Sequence, residues 1–299
     1  MTLAERLRAA GFRGGLEADC PLAPHTTWRI GGPAELLAQP LDRADLSCAA
    51  RWAAAEGVPW RVLGNGSNLL VADAGVRGVV LRVRRVLDSL RREDERRVLA
   101  GAGASFPALA RFAAAGGLAG LEFAAGIPGT VGGAIVMNAG WHEFELGHHV
   151  ERVELLEPTG EAVWLAGADC GFGYRTSRFR QQRSIVLGAL LHLEPGEPGE
   201  IERRFEHYAA VRKAQQPTEL PSCGSVFLKP TGDFAGRLIE QAGLKGLRVG
   251  DIQVSSKHAN FFVNLGRGTA RDALTLVERV EAEVERRFGV RLAREFELW

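Results

Sequence analysis

The apolar residues of the 299-residue chain fall mainly in short runs, separated by polar turns that often contain glycine. Short apolar runs bounded by turn residues predict β-strands. A Glu-Pro-Thr-Gly tetrapeptide after Leu156 predicts a hairpin between two of them. The predicted strands cover Trp60–Leu63, Leu69–Ala72, Val79–Val83, Arg97–Ala100, Arg152–Leu156, Ala162–Leu165, Ser184–Leu193, Ser225–Leu228, Asn260–Asn264 and Arg291–Leu298.

Other segments have helical spacing. Thr2 followed by Glu5 predicts a capped first helix, and Ser105 predicts the start of a helix that continues through Ala115. Further helices are predicted over Asp42–Glu56, from about Glu202, and in a long amphipathic segment with Ala273, Val277, Val280, Val284 and Phe288 on one face. Because helices and strands mix without strict alternation, the pattern favours an α+β fold.

The length of the chain suggests roughly two domains of about 150 residues each. One segment, Glu194-Pro-Gly-Glu-Pro-Gly-Glu200, is polar and rich in proline and glycine. Such a composition is typical of a loop. We therefore predict a linker at this point.

Composition excludes several classes of protein. Glycine contributes 37 residues, proline 13, and 46% of residues are hydrophobic, so neither collagen nor a low-complexity chain fits. A net charge of +1 predicts no nucleic-acid partner and no membrane-surface partner. The charged N-terminus, the lack of a long apolar run and four scattered cysteines predict a cytoplasmic protein without signal peptide, membrane span or metal site. Nothing in the sequence indicates an obligate protein partner.

Two glycine-rich segments stand out, Leu63–Leu69 and Ala125–Ala134. Both combine glycine with Ser, Thr or Asn and contain no acidic residue. Such loops can turn several backbone N–H groups toward one point and hold a pyrophosphate. The alternative is a pair of ordinary turns, but two such loops together favour a ligand site. Neither is a Rossmann fingerprint or a P-loop.

Further candidates are polar side chains in the second half of the chain. Only four lysines occur, all after the predicted linker, namely Lys213, Lys229, Lys245 and Lys257. Chance and codon bias explain Lys245, whereas the other three suggest a site for an anionic substrate. Polar segments also occur at Gly173–Phe179 and Pro221–Phe227. No Gly-x-Ser-x-Gly is present, so a hydrolase is not indicated.

Seven motifs in order carry a family resemblance. They are Thr26-Thr-Trp-Arg-Ile-Gly-Gly-Pro33, Gly64-Asn-Gly-Ser-Asn-Leu69, Gly126-Ile-Pro-Gly-Thr-Val-Gly-Gly-Ala134, Met137-Asn-Ala-Gly140, Tyr174-Arg-Thr-Ser-Arg-Phe179, Cys223-Gly-Ser-Val-Phe-Leu-Lys-Pro230 and Val254-Ser-Ser-Lys-His-Ala259. Together they resemble the UDP-N-acetylenolpyruvoylglucosamine reductases, flavoenzymes of peptidoglycan precursor synthesis. The Cys-Gly-Ser form of the serine motif resembles the second subtype of that family.

The resemblance implies a PCMH-type FAD-binding fold of two α+β subdomains, followed by a C-terminal α+β substrate domain. It places the first subdomain at residues 1–84, with 291–299 returning to it, the second at 85–200 and the substrate domain at 201–290. It also implies non-covalently bound FAD, NADPH as co-substrate, and a UDP-sugar enolpyruvate as substrate. NADPH would reduce FAD, and UDP-N-acetylglucosamine enolpyruvate would then be reduced to UDP-N-acetylmuramate.

The resemblance also implies roles for individual residues. Arg175 and Glu295 would stabilise negative charge on the substrate carboxylate, and Ser225 would donate a proton to carbon. Glu297 shares strand parity with Glu295 and competes for its role. Substrate would contact Tyr174, Arg212, Lys213, Lys229, Lys257 and His258. FAD would contact Gly64, Asn65, Gly66, Ser67, Asn68, Leu69, Gly126, Ile127, Thr130, Gly132 and Gly133.

Two other functions share part of this pattern. Another PCMH-type FAD-dependent oxidase, acting on an alcohol or a sugar, would have the glycine loops without the Arg175, Ser225 and Glu295 motifs. A nucleotide-sensing protein would use the same phosphate-binding loops without redox chemistry. A yellow protein that oxidises NADPH when given the enolpyruvyl-UDP-sugar would exclude both alternatives.

Overall fold

The computed structural model describes residues 1–181 and 184–299. These residues form two compact units, each assembled from three segments of the chain. The first unit comprises Met1–Ala18, Leu36–Gly64 and Arg77–Val211, and the second comprises Asp19–Glu35, Asn65–Val76 and Arg212–Trp299. The second unit therefore contains two N-terminal segments together with the C-terminal part of the chain.

The described residues form both helices and strands. The helices are α1 (Leu3–Ala9), α2 (Arg43–Glu56), α3 (Phe106–Ala115), α4 (Val131–Met137), α5 (Pro198–Gln215), α6 (Ala235–Gln241) and α7 (Ala270–Phe288). The strands are β1 (Gly15–Pro21), β2 (Pro33–Gln39), β3 (Trp60–Leu63), β4 (Leu69–Leu70), β5 (Val76–Arg82), β6 (Leu90–Arg92), β7 (Arg97–Gly101), β8 (Leu118–Ala119), β9 (Gly140–Trp141), β10 (Phe144–Glu145), β11 (Val150–Leu156), β12 (Ala162–Ala166), β13 (Ile185–His192), β14 (Glu194–Pro195), β15 (Ser222–Ser225), β16 (Arg248–Val249), β17 (Ile252–Val254), β18 (Phe261–Asn264) and β19 (Glu297–Leu298).

The first unit contains a five-stranded antiparallel sheet in the order β12-β11-β13-β7-β6. Its central strand β13 is buried from Ile185 to Leu191, as its continuous apolar sequence predicts. A four-stranded sheet in the order β1-β2-β5-β3 pairs β3 with β5 in parallel. The glycine-rich segment after Leu63 thus begins at the carboxyl end of a parallel strand.

The second unit is built around the antiparallel sheet β15-β18-β17-β16. Helix α7 contributes a row of buried residues to the same core, at Ala273, Val277, Val280 and Val284. Trp28, Ile30 and Leu70 belong to this core as well, although they come from the N-terminal segments. The last strand, β19, pairs in parallel with β4.

Several elements form as their local sequence predicts. The capping box at Thr2 is present, α2 ends at Gly57 with φ of +63°, and β3 has its predicted bounds. The hairpin of β11 and β12 also forms. The mixture of helices with mainly antiparallel sheets confirms the α+β class.

Three predicted elements are wrong. The predicted linker at residues 194–200 instead forms β14, paired with β8, and the first turn of α5. The strand predicted at Ser225–Leu228 lies earlier, at Ser222–Ser225, and the terminal strand is only Glu297–Leu298. In α7, Phe288 is 37% exposed and lies outside the buried row. Of the residues described, no helix has the length and apolar character needed to cross a membrane.

Candidate functional site

The two glycine-rich segments meet at Gly64 and Thr130, both in the first unit. A Cβ atom on Gly64 would lie 2.5 Å from Thr130 Oγ1, so a side chain at residue 64 would collide with the second loop. Thr130 is buried and its hydroxyl accepts a hydrogen bond from the Gly133 N–H at 3.3 Å. Glycine at position 64 is therefore required for this close approach.

The remainder of the first loop, residues 65–69, lies in the second unit. Gly66 has φ of +60°, and a Cβ there would lie 2.6 Å from the carbonyl oxygen of His25. The Thr27 N–H donates a hydrogen bond to the Gly66 carbonyl at 3.2 Å. Asn65 Oδ1 is buried, and it has no hydrogen-bond partner among the described residues. An acceptor of this kind suits a ligand donor, so the loop fits a bound dinucleotide.

Leu69 and Ser67 complete that loop. Leu69 begins β4 and pairs with Glu297 of β19, so its backbone is held by the terminal strand. Ser67 is half-buried. The predicted flavin loop and the end of the chain therefore belong to one local structure in the second unit.

The second glycine loop is held mainly by its own backbone. The N–H groups of Ile127 and Gly132 donate to the carbonyls of Ala124 and Ala102, at 3.0 and 2.8 Å. The Gly133 N–H is bound to the Thr130 side chain at 3.3 Å. These hydrogen bonds fix the loop. Gly126, with φ of +78°, shapes the turn that precedes them.

Arg175 lies in the first unit in a strained conformation, with φ of +53°. Its side chain is 16% exposed. Its Nη2 donates to the Gly140 carbonyl at 2.7 Å, and its Nη1 lies 4.0 Å from Glu145 Oε1. The guanidinium also lies 5.1 Å from the ring centre of Tyr174, which is half exposed. Backbone strain at a non-glycine residue often marks a functional position.

Ser225 ends β15 in the second unit, directly after Gly224 with φ of +84°. The pairing of β15 with β18 shifts register between Ser222 and Ser225, which is a β-bulge. Bulges re-aim side chains and often occur beside active sites. After Ser225 the chain is held by buried Asn260, whose Oδ1 accepts from the Phe227 N–H at 3.0 Å and whose Nδ2 donates to the Phe227 carbonyl at 2.8 Å.

Glu295 lies beside the serine strand in the same unit. Its N–H donates to the Val226 carbonyl at 2.9 Å, and its own carbonyl accepts from Asn68 Nδ2 at 3.2 Å. Glu297 instead donates its N–H to the Asn68 carbonyl at 2.9 Å. Backbone hydrogen bonds therefore connect Glu295 both to Val226, the residue after Ser225, and to Asn68 of the first glycine-rich segment. The N–H of Glu297 bonds to Asn68 instead of to the serine strand.

Cys223 is the buried residue of β15 two positions before Ser225. Burial, and then the negative charge of Glu295, raise the pKa of its thiol well above the usual range. A thiol that remains protonated is a poor nucleophile. Cys223 thus packs in the core as a protonated thiol.

The predicted substrate-binding cations of the second unit occupy two places. Lys257 Nζ donates to the Lys213 carbonyl at 2.7 Å and lies 3.8 Å from Glu219 Oε2. Arg212, beside Lys213, is 8% exposed. Lys229 Nζ lies 4.4 Å from the ring centre of Phe234.

His258 follows Lys257, and burial lowers the pKa of its imidazole. Its Nδ1 accepts a hydrogen bond from the Asn260 N–H at 3.2 Å. A neutral ring is therefore favoured near pH 7. His258 thus differs from the lysines, which carry a positive charge at this pH.

Asn138 and Asn260 were not predicted as site residues. Both are buried asparagines within or next to the motifs, at 1% and 7% exposure. A polar residue in an apolar stretch, as in Ile135-Val-Met-Asn138, is the sequence signal for such a position. Buried amides need hydrogen-bond partners, and both asparagines bond to neighbouring backbone.

Comparison with known proteins decides the family. The model of the FAD binding domain matches residues 34–166, and that of the UDP-N-acetylenolpyruvoylglucosamine reductase C-terminal domain matches 216–299. UDP-N-acetylenolpyruvoylglucosamine reductase 2 of Symbiobacterium thermophilum is 47% identical over 99% of this chain and 96% of its own length. The chain belongs to the UDP-N-acetylenolpyruvoylglucosamine reductase family.

Other members of the reductase family agree. The reductase of Heliobacterium modesticaldum is 46% identical over 95% of this chain and 90% of its own length. The crystal structure of the Thermus caldophilus reductase superposes with a TM-score of 0.80 at 39% identity, and it covers 96% of this chain and 99% of its own.

These matches confirm the predicted fold, a PCMH-type FAD-binding unit joined to the reductase C-terminal domain. They also confirm an FAD-containing oxidoreductase of peptidoglycan precursor synthesis, and the cofactors of the family are FAD and NADPH.

Proposed function

We propose that this chain uses NADPH to reduce UDP-N-acetylglucosamine enolpyruvate to UDP-N-acetylmuramate. Membership of the reductase family supports the overall reaction. The observation that carries the residue assignment is the backbone pairing of the Glu295 N–H with the Val226 carbonyl, at 2.9 Å. It holds a carboxyl side chain beside the strand that ends in Ser225.

Bound FAD would supply the hydride that adds to the methylene carbon of the enolpyruvyl group. Residues Gly64–Leu69 would hold its pyrophosphate, with the orphaned Asn65 Oδ1 accepting from the cofactor. The second loop would line the same cofactor through Gly126, Ile127, Thr130, Gly132 and Gly133, and the hydrogen bonds described above hold that loop in place. We further propose the three-part domain layout at residues 1–84, 85–200 and 201–290.

Arg175 would bind the carboxylate of the enolpyruvyl group. Hydride addition places negative charge on that side of the substrate, and a preorganised guanidinium stabilises it most as it develops. The Gly140 carbonyl holds Nη2 at 2.7 Å, so the orientation of the guanidinium is set before substrate arrives. Glu295 would assist in its protonated form or with its charge balanced by the site.

Ser225 would donate the proton to the second carbon. Its hydroxyl is a weak acid, so it needs neighbours that stabilise the alkoxide or return a proton. Glu295 is held next to its strand, and the bulge between Ser222 and Ser225 would set the direction of the Ser225 side chain. Lys213 and Lys257, with Arg212 and His258 next to them, would bind the UDP phosphates; Lys229 and Tyr174 would be secondary contacts.

The test is Ser225→Ala in the purified flavoprotein. We expect NADPH to bleach the flavin at the wild-type rate and the substrate to bind normally, because neither step needs the proton. Reoxidation of the flavin by the enolpyruvyl-UDP-sugar should fall about 10²–10⁴-fold. Stopped-flow absorbance separates the two half-reactions.

Thr231→Ala is the control, since Thr231 is an exposed hydroxyl residue of the same unit. It should reoxidise at the wild-type rate. Turnover of Ser225→Ala near that of Thr231→Ala would refute the role of the serine. A wild-type protein that binds no FAD would refute the whole proposal.

A further inference from the structure

Asn138 lies at the C-terminal end of α4, in the left-handed region with φ of +45°. It is 1% exposed and makes three side-chain hydrogen bonds. Its Nδ2 donates to Glu145 Oε2 at 2.7 Å and to the Gly173 carbonyl at 3.0 Å, and its Oδ1 accepts from the Gly147 N–H at 2.7 Å. One buried amide thus ties together three separate stretches of chain.

Each of these three contacts leads toward Arg175. Gly173 is two residues before it, in the turn closed by the Gly173–Thr176 bridge. Glu145 presents its second oxygen, Oε1, 4.0 Å from Arg175 Nη1. Gly147 continues the hairpin of β9 and β10, which begins at Gly140, the residue whose carbonyl accepts from Arg175 Nη2.

We infer that Asn138 is a positioning residue, which fixes the guanidinium of Arg175 by orienting Glu145 and the Gly173 turn. This inference rests on the proposed function, in which Arg175 binds the substrate carboxylate. Asn138 acts through the hydrogen bonds of its amide, and the shape of the side chain is secondary. A guanidinium displaced by about 1 Å can lose a hundredfold in rate, so the amide matters although it reaches no substrate.

The chemistry of the amide explains why asparagine is needed. Aspartate has the same shape and also adopts the left-handed region, but when ionised it has no N–H to donate. At position 138 its carboxylate would face Glu145 at hydrogen-bond distance. Two carboxylates in one site share a proton, and the pKa of one of them rises strongly. Through these contacts position 138 faces the carboxylate of Glu145, and Glu145 in turn faces the guanidinium of Arg175.

The decisive variant is Asn138→Asp, studied as the FAD-loaded enzyme by stopped flow. At pH 8 we expect reoxidation by the enolpyruvyl-UDP-sugar to slow about a hundredfold, while bleaching by NADPH changes less than about threefold. As the pH falls toward 6, the shared proton restores one donor and the reoxidation rate partly recovers. Calorimetry should show weaker binding of the enolpyruvyl-UDP-sugar, with binding of UDP-N-acetylglucosamine, which lacks the carboxylate, unchanged.

A double variant tests whether Asn138 acts through Arg175. In an Arg175→Ala background, Asn138→Asp should add no further loss, because the group that it positions is absent. Asn264→Asp is the matched control: Asn264 is also buried, and its side chain bonds to Trp28, Gly266 and Gly268. It should show no pH-dependent recovery of the reoxidation rate.

Several results would overturn the inference. Equal slowing of both half-reactions, or losses that multiply in the double variant, would mean that Asn138 only maintains the fold. Should Asn138→Asp not fold, Glu145→Gln keeps the acceptor for Asn138 and removes the charge near Arg175; an unchanged reoxidation rate would then refute the role. Wild-type enzyme that the enolpyruvyl-UDP-sugar does not reoxidise would refute the proposed function itself, which is a distinct result.

Discussion

Positive φ values occur at two residues that belong to, or contact, the proposed site. Arg175 and Asn138 both have positive φ, at +53° and +45°. Such a conformation costs an L-residue roughly 1–2 kcal/mol. In both residues the side chain forms hydrogen bonds to neighbouring chain, which offset that cost. The strain and the contacts thus occur at the same two positions, in the same part of the first unit.

Gly224 allows a sharp test of this idea in the second unit. With φ of +84° and no atom within 4 Å of an added Cβ, Gly224→Ala introduces backbone strain without a collision. We expect a loss of about 1–2 kcal/mol in the free energy of unfolding. We also expect turnover to fall at least tenfold, since Ser225 would be re-aimed. Urea unfolding and steady-state NADPH oxidation measure the two effects.

Gly243→Ala is the matched control for this prediction. Gly243 follows α6, has φ of +74° and likewise has no atom within 4 Å of an added Cβ. It should lose similar stability and keep its turnover. Equal activity in the two variants would show that Gly224 does not direct Ser225.

Sequence patterns could suggest which residues belong to the proposed site, but could not predict these conformations. Ser225, Arg175 and Glu295 were predicted as site residues from the motifs that contain them. The strand at Ser225 was misplaced because the bulge depends on pairing with Phe261, which is 36 positions away along the numbering. The proposed positioning role of Asn138 depends on its hydrogen bonds to Glu145 and Gly173, and these residues contact Asn138 only in the folded chain.

At the scale of elements, helix α7 shows how distant segments complete a local structure. Its capping box forms locally, since Thr269 Oγ1 accepts from the Asp272 N–H at 3.0 Å. The N–H groups of Ala270 and Arg271 donate to Asp73, at 2.8 and 3.0 Å. The first turn of α7 is thus satisfied partly by its own residues and partly by a loop almost 200 positions earlier.

Replacement of Asp73 should therefore lower the free energy of unfolding more than removal of the local cap at Thr269. We expect Asp73→Ala to lower the free energy of unfolding by about 2 kcal/mol, since two backbone donors lose their acceptor. Thr269→Ala should cost about 1 kcal/mol. Urea unfolding followed by circular dichroism gives both values.

As a control, Asp88→Ala removes an exposed aspartate and should change stability by less than about 0.5 kcal/mol. A loss in Asp73→Ala no larger than that of the control would count against the cap.

Element bounds were best predicted where local sequence decides them. Strand β3 has its predicted bounds, and helix α3 follows Ser105 and ends at Ala115 before Gly116 as predicted. The segment 194–200 differs because Pro195 pairs with Leu118, and because Glu197 accepts the Glu200 N–H at 2.8 Å and starts α5 at Pro198. Proline is well suited to the first turn of a helix, so a composition typical of loops was misleading here.

For the whole molecule, buried histidines predict how stability depends on pH. Burial lowers the pKa of His149 in the first unit and of His258 in the second. Between each lowered pKa and the unfolded value of about 6.5, the unfolded chain binds a proton that the folded chain does not. Stability therefore rises with pH in this window and falls as the pH drops below about 6.5.

Urea unfolding at pH 7.5 and pH 5.5 measures this dependence. Acidification from pH 7.5 to pH 5.5 should lower the free energy of unfolding of the wild-type chain. In His258→Gln, and likewise in His149→Gln, we expect this loss to be smaller by about 1 kcal/mol or less. The difference between the two pH values is the quantity of interest, so a general destabilisation by either substitution cancels. Thr231→Ala, which replaces an exposed residue and removes no titratable group, should leave the loss unchanged. A wild-type chain that is equally stable at both pH values would disprove the prediction.

The interleaving of segments in the second unit has a consequence during synthesis on the ribosome. The Trp28 carbonyl accepts a hydrogen bond from Asn264, which is made 236 residues later. At about 5–20 residues per second, that interval lasts roughly ten to fifty seconds. For most of it, the apolar side chains of Trp28 and Ile30 are outside the exit tunnel while the core that buries them is incomplete. The nascent chain is thus exposed to aggregation in its N-terminal part until its last third has been translated.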